Sequence, residues 1–338
     1  MNVQYSKDEY VKKKQSLDLQ SRSDLRAFRE AYCNQIFLQT PRKYYHGQNN
    51  QNSTGDYVSN CENVNDSYYV TGSRNCKFSF WSNGMTDTYD MFGWGENELC
   101  YETVSTGYKT YKTMFTHSSW TGITELEYCY LCFSSSNLFG CIGLRGRKFC
   151  ILNKEYPEQE YHRIRLEIIK QMNDMPYKDK VGVIYRYGEF FPVELSHFPY
   201  LDSVAQEHFP MTQEEVQKRG YVWFPEIVKA HDATMKAENL SDTIGAVNDD
   251  ILQAVISCSH SGKCNERCTF AFKIVRKELA FYRKHGIPFP TLCPNCRHAQ
   301  RVALRNPLKL WLRTCDCSTG KGAYVNVANH FHGSAKCP

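Results

Sequence analysis

The fold is decided by Tyr128-Cys-Tyr-Leu-Cys132 and by the Phe139-Gly-Cys141 that follows it. In each motif, cysteine lies beside an aromatic or small residue. Looser versions of the motif occur elsewhere in residues 55–153: Ser59-Asn-Cys61, Ser73-Arg-Asn-Cys76, Leu99-Cys-Tyr101 and Phe149-Cys150. No helical period runs through this stretch. Small residues, with Asn and Gly at the bends, are typical of a parallel β-solenoid, whose coils bury their apolar sides only by stacking. Because these motifs are unevenly spaced along the sequence, we predict an irregular β-solenoid (β-helix).

The cysteines of this stretch lie mostly next to aromatic residues, Ser or Asn and lack the spacing of metal ligands. The N-terminus has no short apolar segment behind a basic start, so we expect no secretory export and a cytoplasmic protein, or a virion-associated one. Disulfides are rare in that environment. We therefore predict that the cysteines from Cys61 to Cys150 are reduced, buried and act as small apolar residues.

The whole chain is predicted to be a mixed α+β protein of four segments. Residues 1–54 form a partly helical lead-in and a polar linker, and residues 55–153 form the solenoid. Residues 154–257 form a helical connecting region, and residues 258–338 a basic zinc-binding module. Since no apolar run approaches about 18 residues, we expect no membrane partner.

Helix signals occur on both sides of the solenoid. Ser23 is a good N-cap for a helix in the lead-in, and Thr212 and Glu215 have the spacing of a capping box. We also predict a helix from about Asp242 to Ile256. After Pro157, which suits a first helical turn, four apolar residues fall on one helical face: Tyr161, Ile164, Ile168 and Met172.

Charge divides the chain near residue 258. The whole chain has 41 Lys and Arg residues and 36 Asp and Glu residues, which gives a formal net charge of +5. From residue 258 onward, however, the chain has 14 Lys and Arg residues and only 3 Asp and Glu residues. The modest total therefore hides an acidic body and a basic tail.

The basic tail contains cysteine pairs at metal-ligand spacing. Cys264 and Cys268 precede a predicted strand and helix, and Cys293-Pro-Asn-Cys296 leads directly into the helix Arg297–Arg305. Two such pairs can supply the four soft ligands of a tetrahedral zinc ion, in the arrangement of a treble-clef finger. Cys258 could replace Cys264 or Cys268 as a ligand. We therefore predict one Zn²⁺ site in this tail.

A second zinc site is possible farther along the tail. The donors there are Cys315-Asp-Cys317, His330-Phe-His332 and Cys337. Their CxC and HxH spacings are less diagnostic than CxxC, because a terminal HxH is as often a solvated loop as a ligand pair.

Several long motifs of this chain resemble an uncharacterised family of β-solenoid proteins with C-terminal treble-clef or zinc-ribbon ends, from small-genome bacteria and large DNA viruses. The motifs are Phe139-Gly-Cys-Ile-Gly-Leu-Arg-Gly-Arg-Lys-Phe-Cys-Ile-Leu-Asn-Lys-Glu-Tyr156, Tyr187-Gly-Glu-Phe-Phe-Pro192, Glu278-Leu-Ala-Phe-Tyr-Arg-Lys-His-Gly-Ile-Pro-Phe-Pro-Thr-Leu-Cys-Pro-Asn-Cys-Arg-His298 and Arg305-Asn-Pro-Leu-Lys-Leu-Trp-Leu-Arg313. The resemblance implies this fold, and Cys293 and Cys296 as ligands with Cys264 and Cys268 as partners. It implies no established activity. Relatives in that family continue past the position of Cys337-Pro338 into a further CxxC pair that would complete the second finger, and this sequence departs from them there.

Two non-enzymatic functions fit these features. The first is binding of nucleic acid or a ribonucleoprotein through a basic stripe: Arg297, Arg301, Arg305, Lys309 and Arg313. The second is a structural or assembly role with a protein partner, in which the solenoid is a rigid scaffold.

A lesser alternative is a carbohydrate-active enzyme. Solenoids can line a cleft with carboxylates, here Asp66, Asp87, Asp90 and Glu96. Turn carboxylates that accept backbone hydrogen bonds explain these residues more simply. No catalytic residue and no small-molecule substrate is identified.

Overall fold

A computed structural model of the chain describes residues 3–16, 19–37, 45–223, 232–264 and 266–310. Backbone contacts divide the chain into two compact units. The solenoid unit is centred on Lys43–Phe224, and the cysteine-rich unit combines Met1–Arg42 with Pro225–Pro307. The division of the sequence into four segments stays a prediction.

The solenoid unit contains a parallel β-solenoid of about nine coils, which confirms the predicted core of the fold. Its strands are short, and each pairs with a strand in the next coil. They are β1 (Gly47–Gln48), β2 (Gly55–Ser59), β3 (Glu62–Asn65), β4 (Ser67–Thr71), β5 (Arg74–Lys77), β6 (Phe80–Asn83), β7 (Tyr89–Phe92), β8 (Asn97–Glu98), β9 (Tyr101–Val104), β10 (Thr110–Tyr111), β11 (Met114–His117), β12 (Thr124–Glu127), β13 (Ser136–Phe139), β14 (Lys148–Ile151) and the antiparallel β15 (Lys154–Glu155).

The length of the coils varies around twelve residues: the offset is eleven at the first strand pair, as between Gly47 and Val58. Gly55 pairs with Ser67, twelve residues later, and the same offset recurs between β13 and β14. In the middle of the solenoid the offset is thirteen, as between Tyr101 and Met114. The extra residue is a second left-handed residue at a bend: Lys109 follows Tyr108, and Gly122 follows Thr121, all with positive φ.

Each coil is built from three-residue segments. Along most of the solenoid every third side chain points inward and is buried, as in the successive set Val58, Cys61, Val64 and Ser67. Trp94 and Arg147, in the same three-residue frame, are exposed. The residue before each member of the buried set has positive φ: Tyr57, Asn60, Asn63 and Asp66. A left-handed residue bends the chain sharply, so four such segments close one coil of twelve residues.

The interior of the solenoid is filled largely by small side chains, among them seven cysteines. Cys61, Cys76, Cys100, Cys129, Cys132, Cys141 and Cys150 are all buried and form no disulfide. The predicted burial of these cysteines is confirmed. Ser and Thr occupy other inward positions and hydrogen-bond the chain two residues back, as Ser67 does to the Asn65 carbonyl at 2.8 Å.

A long helix, α3 (Glu158–Asp174), packs on the last coils. Pro157 is its N-cap, and Tyr161 is its buried residue. The predicted apolar face is confirmed, because these residues form one cluster with Phe139 and Ile151: Tyr161, Ile164, Ile168 and Met172. The rest of the unit contains β16 (Tyr177–Lys178), β17 (Ile184–Tyr185), the 3-10 turns Val193–Leu195 and Tyr200–Asp202, α4 (Ala205–His208) and α5 (Gln213–Lys218). The capping box predicted for Thr212 and Glu215 is present at the start of α5.

The cysteine-rich unit brings the N-terminal helices together with residues 232–307. Its elements are α1 (Lys7–Ser16), α2 (Arg22–Tyr32), the π-helical turn Cys33–Phe37, the 3-10 turns Ala237–Asn239, Ile244–Ala246 and Asp249–Leu252, β18 (Ile256–Ser257), β19 (Ala271–Phe272), α6 (Arg276–His285) and α7 (Pro294–Val302). The helix predicted from Asp242 to Ile256 is wrong: two 3-10 turns replace it, and Asn248 caps the second through its side chain.

The lead-in helix α2 is anchored in this unit. Its N-cap is Ser21 rather than the predicted Ser23, and the Ser21 hydroxyl donates to Asp242 at 2.6 Å. The Arg22 guanidinium donates to the carbonyls of Ser241 at 2.8 Å and Phe289 at 3.2 Å. Among the described residues, no helix is both long and apolar enough to cross a membrane.

Candidate metal centre

Four cysteine thiols converge in the core of the cysteine-rich unit. The sulfur atoms of Cys258, Cys268, Cys293 and Cys296 all lie within 4.8 Å of one another. Cys258, Cys293 and Cys296 are buried, and Cys268 is half-buried. The group is part of the main apolar core of this unit, which includes Ile256, Phe272, Ile274, Leu279 and Phe289. These cysteines could therefore hold a metal ion.

Two local structures position the thiols. Cys258 and Cys268 lie just outside the antiparallel pair β18–β19, which the register Ile256 to Phe272 defines. Cys293 is the N-cap of α7, and Cys296 lies in its first turn, with Pro294 between them. Pro suits this position, because the first helical N–H has no partner in the helix. A short hairpin and a helix N-terminus thus each contribute two thiols.

The sulfur separations fit a tetrahedral ion. Within the four-thiol group, the Sγ atoms of Cys258 and Cys296 are 3.9 Å apart. The Sγ atom of Cys264, which lies outside this group, is 3.6 Å from that of Cys296. Zinc–thiolate bonds of about 2.3 Å give tetrahedral sulfur–sulfur edges of about 3.8 Å. The donors present therefore suit a thiolate-bound ion of the zinc class.

The thiols differ in how readily they lose a proton. Burial raises the pKa of Cys258 to about 11 and also raises the pKa of Cys296. At Cys293 burial acts in the same direction, but hydrogen bonds from Cys296 and Thr269 outweigh it and lower the pKa to about 6. Of these three thiols, Cys293 is thus the one whose surroundings favour the thiolate. Metal binding displaces the remaining thiol protons.

The sequence identified the cysteines of this cluster but not all their neighbours. Cys264, predicted as a ligand, lies outside the four-thiol group and instead groups with His260, Glu266 and Cys296. Cys258, predicted as an alternative ligand, lies in the four-thiol group. Sequence reasoning missed His260 and Glu266. The available signal was their spacing, since His260 lies two residues after Cys258 and Glu266 two residues after Cys264.

The other predicted ligands and one predicted basic residue lie outside the described residues. These are Cys315, Cys317, His332 and Cys337 of the second zinc site, and Arg313 of the basic stripe.

The basic stripe divides into internal and exposed residues. Arg297 is half-buried, and its Nη1 donates to Glu278 at 3.2 Å and to the Tyr282 hydroxyl at 3.1 Å. Arg301, Arg305 and Lys309 are exposed. The helix predicted to reach Arg305 ends at Val302, so Arg305 lies beyond it.

Comparisons with known proteins add no identification. No family model and no curated protein matches the chain. Among solved structures, an alignment with a "putative acetyltransferase" from Bacillus cereus covers 38% of this chain and 87% of that one. The identity is 8% and the TM-score 0.12, and a similarity this low carries no argument about fold or function.

Proposed function

We propose that the chain is a zinc-binding protein in which Cys258, Cys268, Cys293 and Cys296 hold one structural Zn²⁺. The convergence of four thiols within 4.8 Å is the observation that carries this proposal. Four protein ligands leave no open position for a substrate, which is typical of structural rather than catalytic zinc. The hairpin β18–β19 and the start of α7 correspond to the two ligand-bearing parts of a treble clef.

This proposal is tested by metal analysis of the purified full-length protein. The variant Cys293→Ser with Cys296→Ser should lose the zinc that the four-thiol cluster holds, because it removes both ligands of α7. Cys33→Ser is the matched control, since Cys33 belongs to neither group of potential ligands. Zinc content unchanged by the double substitution would refute the proposal.

Membership in the family of β-solenoid proteins with zinc-finger ends is a further proposal. The parallel solenoid and the cysteine group support it, because the resemblance implies both features in one chain.

Nucleic acid is the partner that we propose for the basic tail. The excess of Lys and Arg after residue 258 and the exposure of Arg301, Arg305 and Lys309 support it. Cationic side chains on an exposed surface can contact phosphates and release counterions. Arg297 contributes differently: its contacts with Glu278 and Tyr282 hold α7 against α6.

A salt series of filter-binding measurements with single- and double-stranded RNA and DNA tests this partner. Arg301→Gln with Arg305→Gln should weaken binding and reduce the salt slope by up to about one unit per lost contact. Arg297→Gln should leave the slope unchanged. Arg163→Gln, an exposed arginine of α3, is the control. Wild-type protein without salt-dependent binding would exclude nucleic acid and favour the assembly role.

A further inference from the structure

A tight turn places two further donors beside the four-thiol cluster. The Ser261 amide donates to the Cys258 carbonyl, and the Lys263 amide to the His260 carbonyl, both at 2.8 Å. Gly262 has φ +73°, and a Cβ there would lie 2.1 Å from the Phe270 ring. The turn therefore requires glycine, and it brings His260 and Cys264 to the same side.

The donors near this turn form a second ligand set. His260 Nδ1 or Nε2, the Cys264 sulfur, a Glu266 carboxylate oxygen and the Cys296 sulfur all lie within 4.8 Å of one another. His260, Cys264 and Glu266 are half-buried, in contrast to the buried Cys296. One nitrogen, one oxygen and two sulfurs suit zinc-class ions and do not suit Mg²⁺ or Ca²⁺, which prefer oxygen.

Two polar atoms of this set lack hydrogen bonds. His260 Nδ1 and Glu266 Oε2 are both shielded from solvent, and neither has a hydrogen-bond partner in the part of the chain that the structure describes. They lie 3.2 Å apart, which is an ion-pair distance only when His260 is protonated. Buried polar atoms without hydrogen bonds are costly, and a bound ion is one of the few explanations for them.

Cys296 belongs to both ligand sets. Its sulfur lies 3.9 Å from that of Cys258 in the first set and 3.6 Å from that of Cys264 in the second. A thiolate sulfur has more than one lone pair and can bridge two metal ions. Sharing Cys296 gives each ion four protein ligands.

We propose that His260, Cys264 and Glu266, together with the shared Cys296 thiolate, form a second site for a divalent ion of the zinc class. The proposal rests on the zinc-binding function proposed above, because the first ion fixes the Cys296 thiolate. The second ion neutralises the negative charge that Cys264 and Glu266 add beside the first site. Its partly exposed ligands make it the more readily exchanged of the two ions.

Cobalt(II) titration of the metal-free, full-length protein tests the proposal. All proteins carry Cys315→Ser with Cys317→Ser, so that this pair cannot contribute. The first equivalent should produce the absorption of tetrahedral thiolate-bound cobalt. The second equivalent of cobalt should add a distinct spectrum with weaker sulfur-to-metal bands. It should also attenuate the electron paramagnetic resonance signal of the first cobalt ion, because the two ions couple through Cys296.

Matched variants separate the two proposals. His260→Ala with Glu266→Gln should bind one equivalent fewer than the parent and retain the first spectrum. Equal stoichiometry of parent and variant, or a second equivalent that leaves the resonance signal of the first unchanged, overturns the second site alone. Retention of the thiolate spectrum in Cys293→Ser with Cys296→Ser overturns the first site instead.

Discussion

Left-handed backbone at every third position determines which side chains the solenoid accepts. Among the described non-glycine residues with positive φ, none is Val or Ile, and Thr121 alone is β-branched. The left-handed region is costly for L-residues, and most costly for branched ones. Asn relieves part of this cost, and its side chains also join successive coils: Asn63 donates to Asn75 at 3.1 Å, and Asn75 to Asp87 at 2.8 Å.

Gly72 provides a test of backbone strain without steric contact. It has φ +61°, and a Cβ there would meet nothing within 4 Å. Gly72→Val should therefore destabilise the solenoid by about 1–2 kcal/mol through backbone conformation alone. Gly72→Asn should cost clearly less. Urea unfolding followed by tryptophan fluorescence measures the difference, and equal stability of the two variants would contradict the role of the bend.

Cys76 and Cys100, two interior thiols of the solenoid, should be chemically inert in the native protein. Burial raises the pKa of Cys76 and of Cys100 to about 11. Below that pH both groups are predominantly thiols, whereas the thiolate is the reactive form. Alkylation at pH 8, mapped by mass spectrometry, should label Cys33 well before Cys76 or Cys100. Denaturant should remove the difference, and rapid native labelling of either buried cysteine would contradict the prediction.

At the scale of elements, one ion pair fixes α3 to the solenoid. Glu127 of β12 is 7% exposed, and the Arg165 guanidinium lies 2.6 Å from its carboxylate. The Tyr187 hydroxyl donates to the other carboxylate oxygen at 2.9 Å. The carboxylate is thus held by α3 on one side and by the segment after β17 on the other.

Arg165→Met should destabilise this unit by about 3 kcal/mol, because it leaves a buried carboxylate unpaired. Adding Glu127→Leu should restore much of the loss, since the charge is then removed as well. Arg163→Gln, on the exposed side of α3, should change little. Urea unfolding of the three variants gives the comparison. A double variant less stable than Arg165→Met would count against the ion pair as the cause.

The sequence predicted the type of most elements but not the period of the solenoid. Inward residues recur every three positions, whereas sequence patterns are usually compared with periods of 2 and 3.6. The cysteines carry this signal, because Cys61, Cys76 and Cys100 are separated by multiples of three. They occupy different inward positions of their coils, so their intervals appear irregular. The interval from Cys100 to Cys129 differs because both extra residues lie within it.

The sequence predicted the cysteines of the candidate metal site better than the other residues around them. Short Cys pairs mark a metal site because the ligands lie close in sequence. His260 and Glu266 are brought to the site by the turn at Gly262, and the internal role of Arg297 depends on Glu278 and Tyr282 of α6. Such contacts depend on how two elements pack against each other. The sequence pattern of a single helix does not define that packing.

At the scale of the whole molecule, metal removal should affect one unit selectively. The thiol cluster belongs to the core that joins Ala237, Ile256, Phe272 and Phe289. The solenoid coils depend instead on their own hydrogen-bond ladder. A zinc chelator should therefore increase amide hydrogen exchange within residues 232–307 and leave β2–β14 protected. Unchanged exchange within residues 232–307 after verified zinc loss would contradict a structural role of the metal.

The two thirteen-residue coils also bear on how such a gene can change. An additional codon at a bend, as at Tyr108-Lys109 and Thr121-Gly122, leaves the inward residues of the neighbouring coils facing inward. One codon inserted between bends shifts the following side chains out of the three-residue frame. In a mutational scan with single-codon insertions, the protein should therefore tolerate insertions at bends. Where the coils have twelve residues, duplication or deletion of twelve codons preserves the frame, which offers the gene a route to longer or shorter solenoids.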